Sequence, residues 1–170
     1  METLLAIVSR RETRDFADRD IAPELAERIL DAGRVAGSAS NRQPLRYVVV
    51  EDDEVRARLA ETVFVPGNVS GAKLLVGLVA IESRWADFDA GRAVENMFLA
   101  AWDAGIGSVP NGLKDSETAG RLVRIGEGER LLTLLSFGYP ARVVDPAARA
   151  PEDWSARANR KPLGELVTRI

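Results

Sequence analysis

The sequence contains no cysteine and no histidine among its 170 residues. The absence of cysteine excludes disulfides, thiolate nucleophiles and thiolate metal sites. The absence of histidine excludes Ser-His-Asp catalysis and imidazole-ligated zinc, and we predict no metal site. If the protein is an enzyme, either its carboxylates and lysines carry out acid-base chemistry or a bound cofactor supplies the reactive group.

Long apolar runs are also missing. No segment approaches the roughly 20 apolar residues of a membrane-spanning helix, and the charges of METLLAIVSRR follow its apolar part, unlike those of a signal peptide. The net charge of −3 argues against non-specific nucleic-acid binding. We therefore predict a cytoplasmic protein with no membrane or nucleic-acid partner. Its length suits one domain, residues 1–170.

Hydrophobic spacing predicts many helices and few strands. The predicted helices are 2–9, 23–36, 55–63 (capped by Asp52 or Asp53), 88–105 and 116–123. The predicted strands are 45–51, 73–82 (buried on both faces) and 131–139. Loops are expected at 66–71 and 105–112, irregular structure at 140–160, and a helix or strand at 163–168.

The connection between the second helix and the first strand is rich in polar side chains. It carries two hydroxyls and two carboxamides, at Ser38, Ser40, Asn41 and Gln43. Short connections often hold ligand contacts, and carboxamides offer the paired donors and acceptors that suit the edge of a flat heterocycle. Serine and asparagine are also standard turn residues, so an ordinary turn remains open.

Arg10, Arg11 and Arg14 lie within five residues and repel one another unless an anion or carboxylates compensate them. Arginine suits bidentate phosphate contacts. The alternative is a solvated turn neutralised by its neighbouring carboxylates, Glu12, Asp15 and Asp18. A second basic pair, Arg160 and Lys161, taken alone is a solvated tail.

The strongest predicted helix ends in a glycine-rich segment, GIGSVPNG at 105–112. Glycines present no Cβ, so the backbone amides there could approach a ligand closely. The segment lacks the dinucleotide-binding fingerprint, because a helix precedes it and no Gly-x-Gly-x-x-Gly is present. A helix that ends in glycine is also common for structural reasons.

In this order, the segments resemble the FMN-dependent nitroreductase family. SRRETRDF is similar to its Arg-Arg-Ser-x-Arg-x-Phe signature, and AGSASNRQPLRYVVV is similar to its Ser-x-x-Asn-x-Gln-Pro-Trp segment. DAGRAVENMFLAAWDAGIGS resembles the long central helix, while LLSFGYPA and NRKPLGELV resemble the closing strand and basic tail. The resemblance covers nearly the whole chain.

The resemblance implies an α+β fold, a nitroreductase-like α/β sandwich with a central, mostly antiparallel sheet flanked by helices. It also implies an intertwined homodimer with FMN at the subunit interface. The small-residue face of helix 88–105 would then be dimer core. We expect the loop 38–43 to be ordered by dimerisation as much as by FMN.

The implied cofactor contacts carry over by position. Arg10 and Arg11 would reach the FMN phosphate or ribityl chain, Arg14 the pyrimidine edge, and Gln43 would lie nearby. Ser38, Ser40 and Asn41 would come from the partner subunit. The Gly107 and Ser108 amides would face the isoalloxazine, and Arg160 or Lys161 would close on the phosphate.

The implied activity is an oxidoreductase that takes hydride from NADH or NADPH and reduces a nitroaromatic, a quinone or a similar conjugated acceptor by a ping-pong mechanism. No side chain is assigned as catalytic, since FMN carries the chemistry; Arg14 would tune its potential. The alternatives are a non-catalytic flavin-binding module and another redox reaction on the same scaffold, such as dehalogenation or heterocycle oxidation.

Three departures from the family pattern matter. Glu12 replaces a small hydroxyl residue near the phosphate, so its carboxylate must turn away or pair with an arginine. Leu45 replaces a tryptophan, which removes a packing partner. The segment 110–130 is too short for the long lid of larger relatives, so the flavin face is expected to be open.

Overall fold

The structure is a computed structural model and describes residues 1–81 and 83–170. Within them the chain forms eight α-helices, four β-strands and two short 3₁₀ turns. The helices are α1 Thr3–Ser9, α2 Pro23–Arg34, α3 Asp53–Ala60, α4 Pro66–Ser70, α5 Ala86–Asp103, α6 Ser116–Leu122, α7 Pro151–Ala156 and α8 Leu163–Leu166. The strands are β1 Leu45–Val49, β2 Leu74–Ile81, β3 Gly107–Asn111 and β4 Glu129–Gly138. The 3₁₀ turns are Ala39–Asn41 and Pro146–Ala148.

Most elements lie within a few residues of their predicted positions, and Asp52 caps α3 by accepting from the Val55 amide at 2.9 Å. Glu82, the end of the predicted strand 73–82, lies outside the described residues. None of the described helices is long and apolar enough to cross a bilayer.

Three segments predicted as loop or irregular structure are partly regular, and a proline occurs in each. Pro66 and Pro151 occupy the first positions of α4 and α7, where a missing N–H costs nothing. Pro110 lies in β3, an edge strand of the sheet, where a residue without a donor is tolerated. The loop predictions for 66–71 and 105–112 and the irregular prediction for 140–160 are therefore wrong in part.

The sheet has the order β1-β2-β4-β3 with every neighbouring pair antiparallel. β2 is buried along its length except at Ile81, as predicted for a strand covered on both faces. One face packs against α2 and α5 around Ile29, Met97 and Phe137. The other packs against α3, α4 and α6 around Leu59 and Leu134. The predicted α+β sandwich with an antiparallel central sheet is confirmed.

The small-residue face of α5 is core of a single chain. Ala93, Met97 and Ala101 are fully buried without any partner subunit. At Gly33 of α2, an added Cβ would lie 2.8 Å from the Met97 sulfur, so glycine lets α2 pack closely on α5. The prediction that this face is dimer core is therefore wrong, because α2 and the sheet already cover it.

The chain divides into two compact units, residues 11–143 and residues 1–10 with 144–170. The sheet and α2 to α6 form the larger unit. In the smaller unit α1 contacts α7, and Trp154 is buried, with its indole N–H donating to the Pro146 carbonyl at 2.9 Å. The assignment of residues 1–170 to one domain stays a prediction.

An ion pair between β1 and β4 makes stability depend on acid pH. Arg46 donates to both carboxylate oxygens of Glu129, and the Gly126 amide donates to the same group at 2.8 Å. These hydrogen bonds, the Arg46 bond first, lower the pKa of Glu129 from 4.5 to about 2. A lowered carboxyl pKa adds stability that is present above the unfolded pKa and is lost as pH falls toward the folded value.

We therefore expect Glu129→Gln to be less stable than the wild type at about pH 6, with the difference shrinking at about pH 3. Urea unfolding midpoints at both pH values measure this. Glu127→Gln, which alters a nearby exposed carboxylate, is the control. A difference for Glu129→Gln that stays constant with pH would contradict the assignment.

Candidate functional site

The segment after Arg11 runs along the outer edge of the sheet. Glu12 pairs in parallel with Ser108 of β3, and the Thr13 amide donates to the Ser108 carbonyl at 3.0 Å. Further along, Phe16 pairs with Pro140 just beyond β4. The fold thus brings the predicted arginine motif and the predicted glycine-rich segment into direct contact.

Two glycines make this contact possible. Gly107 and Gly138 lie opposite each other across β3 and β4. A Cβ on Gly107 would lie 2.2 Å from the Thr13 hydroxyl oxygen, and one on Gly138 would lie 2.7 Å from the Phe16 ring. Thr13 therefore fills the space that the missing Cβ of Gly107 leaves. Whether the Gly107 and Ser108 amides face a cofactor stays a prediction.

Arg14 projects from this segment and pairs with Glu12. Its Nη2 lies 2.5 Å from Oε2 of Glu12, and the two side chains are 59% and 39% exposed. Of the two alternatives for Glu12, turning away or pairing with an arginine, the structure shows the second. Exposed ion pairs contribute little stability, so an incoming anion can displace this carboxylate at small cost.

Asp18, another carboxylate near the arginines, has a different partner. Asp18 accepts from the Lys73 ammonium at 2.5 Å, and this hydrogen bond lowers the pKa of Asp18 and raises that of Lys73. As the solvated-turn alternative predicts, a neighbouring carboxylate, Glu12, neutralises Arg14. Asp18 instead pairs with Lys73, the residue just before β2. Arg11 is exposed.

The polar loop 38–43 has an unusual backbone. Ser40, Asn41 and Gln43 have φ values of 52°, 54° and 51°, in the left-handed region that L side chains rarely adopt. Ser38 Oγ accepts from the Gln43 amide at 2.9 Å, which closes the loop on itself. Such strain persists only where the surroundings enforce it and often marks a functional site. The three strained side chains are exposed, so they are available to a ligand.

The remaining predicted cofactor residues, Arg10, Arg160 and Lys161, belong to the smaller unit. Arg160 and Lys161 are exposed, and the preceding Asn159 has a φ of 51°. Their predicted phosphate contacts stay predictions.

Two buried polar atoms on β3 have no hydrogen-bond partner among the described residues. They are Ser108 Oγ and Asn111 Oδ1, on side chains of residues that are 1% and 3% exposed. The side-chain Nδ2 of Asn111 donates to the Leu134 carbonyl at 2.8 Å and to Ser136 Oγ at 2.9 Å. Buried polar atoms are normally satisfied, so this strand presents unmet hydrogen-bonding capacity beside the Arg14 segment.

Sequence reasoning missed Asp89, whose carboxylate contacts the loop 38–43 through the Ala39 amide. An acidic residue in the first turn of a helix normally compensates the helix dipole. A signal was present, because Asp89 lies three residues after Ala86 and four before Ala93, on the buried face of α5. A carboxylate at such a position requires a polar partner.

Comparison with known proteins agrees with this geometry. The model of the family described as Nitroreductase family matches residues 7–80 and 79–139. Together these ranges include the Arg14 segment, the loop 38–43, all four strands and α5.

The chain belongs to the nitroreductase family.

The similarity to individual relatives covers most of this chain. A candidate NADH dehydrogenase/NAD(P)H nitroreductase of Archaeoglobus fulgidus is 33% identical over 150 residues, 82% of this chain and 86% of that protein. A protein of the same description from Methanothermobacter thermautotrophicus is 32% identical over 170 residues, covering 91% and 88%. The crystal structure of a nitroreductase family protein of Clostridium difficile 630 superposes with a TM-score of 0.82 at 23% identity, covering 99% and 98%, which shows a shared fold.

The Gly107–Thr13 contact in this family member yields a direct prediction. Gly107→Ala forces a methyl group onto Thr13, so we expect a loss of about 1–3 kcal/mol in the free energy of unfolding. Gly91→Ala is the matched control, because that helical glycine has open space around it and alanine there should add about 0.5–1 kcal/mol. Urea unfolding measures both. A Gly107→Ala protein as stable as the wild type would show that Thr13 does not pack there.

Proposed function

We propose that the protein is an FMN-dependent oxidoreductase that takes reducing equivalents from NADH or NADPH and passes them to a small conjugated acceptor, such as a nitroaromatic or a quinone. The observation that carries the proposal is the packing of the Arg14 segment on β3, which joins two parts of the family's cofactor motif in one place. Family membership and the names of the relatives support an NAD(P)H-dependent oxidoreductase.

The residues in the larger unit fit a flavin chemically. A flavin has a flat apolar ring system with a polar pyrimidine edge and a phosphate, and it needs cations, carboxamides and hydroxyls as partners. Arg11 and Arg14 supply exposed guanidinium groups, and Asn41 and Gln43 supply exposed carboxamides. The Ser108 hydroxyl, which has no hydrogen-bond partner among the described residues, adds a further donor on the strand beside Arg14.

When bound, FMN would supply the redox chemistry that the side chains of a protein without cysteine and histidine lack, with reductant and acceptor binding in turn. The protein's part is binding and electrostatics. Arg14 would hold the pyrimidine edge, and its positive charge would favour the form of the cofactor that carries negative charge there. The resemblance implies that Arg10 and Arg11 reach the phosphate or the ribityl chain and that Arg160 or Lys161 closes on the phosphate.

The acceptor side of the site is expected to be open. Between Asn111 and Glu129 the chain forms α6, and Ala119, Gly120 and Val123 of this region are buried in the core. A segment committed to the core cannot fold over a ligand as a lid. This supports a broad class of planar acceptors, and it leaves dehalogenation or heterocycle oxidation as alternatives on the same scaffold.

A homodimer is part of the proposal. In the smaller unit, Leu163, Leu166 and Val167 are 74%, 63% and 43% exposed near the C-terminus. Exposed apolar clusters of this kind mark association surfaces. A second chain would cover them, and Ser38, Ser40 and Asn41 would then contact the partner's cofactor, as the resemblance implies.

One observation favours a second candidate, a flavin-binding module without turnover. Glu12 occupies Arg14 and would weaken the contact that tunes the cofactor. Stopped-flow mixing of the FMN-loaded protein with NADH or NADPH separates the two functions. Bleaching of the flavin absorbance by either nucleotide is expected of the oxidoreductase. A loaded protein that neither nucleotide bleaches would be the binding module, and a protein that stays colourless after incubation with FMN would refute both.

The Arg14 contact can be tested by affinity. Arg14→Ala should lose one charge-assisted hydrogen bond of about 1.5–3 kcal/mol, which weakens FMN binding roughly 10- to 100-fold. Adding Arg10→Ala should lower the affinity further. Glu12→Gln should strengthen binding about two- to fivefold by releasing Arg14.

Fluorescence titration of FMN with the apoprotein measures these affinities. Arg121→Ala is the matched control, since Arg121 is an exposed arginine paired with Glu117 on α6. If Arg14→Ala binds FMN as tightly as Arg121→Ala does, the assignment of Arg14 is wrong.

A further inference from the structure

Asp89 is a buried carboxylate in the first turn of α5, with its side chain 3% exposed. Its two oxygens lie 3.3 and 3.1 Å from the Ala39 amide nitrogen, which donates to them from the start of the loop 38–43. The Arg92 guanidinium lies 3.9 Å from Oδ1 of the same group. Burial of a carboxylate is costly without such partners, so this contact is a specific requirement of the fold.

The contact falls where the loop most needs support. Ser40, Asn41 and Gln43 all have strained left-handed backbones, and such conformations persist only where contacts with the surroundings offset their cost. Inside the loop, the Asn41 amide donates to the Ser38 carbonyl at 3.0 Å, and Ser38 Oγ accepts from Gln43. These internal bonds shape the turn but do not attach it to the rest of the molecule.

Side-chain packing does little to attach the loop 38–43 to the rest of the chain. A cavity of ≈ 70 Å³ lies under the loop and is lined by Ser38, Gln43, Tyr47 and Asp89. Arg92 adds a second point of support, because it lies against Gly37, where an added Cβ would come within 2.5 Å of Nη2. The contacts from α5 to Gly37 and Ala39 therefore fix the chain where it enters the loop.

We propose that Asp89, assisted by Arg92, is a positioning residue that holds the loop 38–43 in its ligand-binding conformation within a single chain. The loop is then preorganised before it meets a partner subunit or a cofactor, in place of the sequence-based expectation that dimerisation and FMN order it. Its consequence for cofactor affinity rests on the proposed function, whereas the order of the loop does not.

Hydrogen exchange of the FMN-free protein tests the order of the loop directly. In Asp89→Ala, the amides of residues 37–43 should exchange about tenfold faster or more, because a charge-assisted hydrogen bond is lost. Asp87→Ala is the matched control. It removes a carboxylate from the same turn of α5, but that group is exposed and pairs with Arg130, so the loop should exchange as in the wild type.

A conservative variant keeps the test valid if Asp89→Ala does not fold. Asp89→Asn retains one neutral oxygen for the Ala39 amide and should accelerate exchange less, by about threefold. Exchange at 37–43 in Asp89→Asn that matches Asp87→Ala would overturn the proposal. So would equal exchange in a folded Asp89→Ala.

Measurements of FMN affinity and flavin bleaching then distinguish a positioning role of Asp89 from a general loss of structure in its variants. Asp89→Ala should weaken FMN binding about tenfold, while the rate of flavin bleaching by NADH or NADPH at saturating FMN stays close to that of the wild type. Asp89→Asn should recover part of the affinity. If the wild type fails to bind FMN, the proposed function is lost, yet the hydrogen-exchange result still decides whether Asp89 orders the loop.

Discussion

The site depends on how the edge of the sheet is closed. β3 is an edge strand, and unpaired edge groups must be covered or exposed to water. The segment 12–16 covers this edge by pairing Glu12 with Ser108 and by placing Thr13 and Phe16 over two opposed glycines. Because the backbone pairing fixes the register, it also fixes where Arg14 emerges. Strand pairing therefore sets the position of the Arg14 guanidinium group, and no ligand is needed to place it.

The loop 38–43 is also positioned by the fold, but by a buried carboxylate and not by strand pairing. Three left-handed residues make it locally unfavourable, and a buried carboxylate on α5 holds its entry. α5 thus has two roles, since Ala93, Met97 and Ala101 build the core while Asp89 on the same buried face supports the loop. A helix packed against α2 and the sheet is a rigid element, and site residues positioned from rigid elements are held more precisely than those on free loops.

Local periodicity was enough to predict most elements of the fold, because β2, α5 and β4 each carry their pattern in contiguous residues. The nature of the contacts at the site was not accessible in this way. Nothing local in GIGSVPNG indicates that Gly107 receives Thr13, a residue distant in sequence, and the same letters equally suit a ligand-binding loop. The helical spacing of Asp89 could have indicated its burial, but its partner could not be predicted, because Ala39 contributes a backbone amide and no side chain that a motif could contain.

The Glu12–Arg14 pair shows how a chain can carry an exposed arginine beside other cations before a ligand arrives. Repulsion among clustered cations would be largest in the free protein, and a neighbouring carboxylate reduces it. If Glu12 were buried against Arg14, a ligand would have to displace a desolvated partner, and binding would be costly. Both side chains are instead substantially exposed, so water can solvate each charged group when the pair separates. Under the proposed function, Glu12 would lower the affinity of Arg14 for the cofactor modestly while it stabilises the free state. A departure from the family pattern at this position is therefore compatible with the proposed cofactor binding.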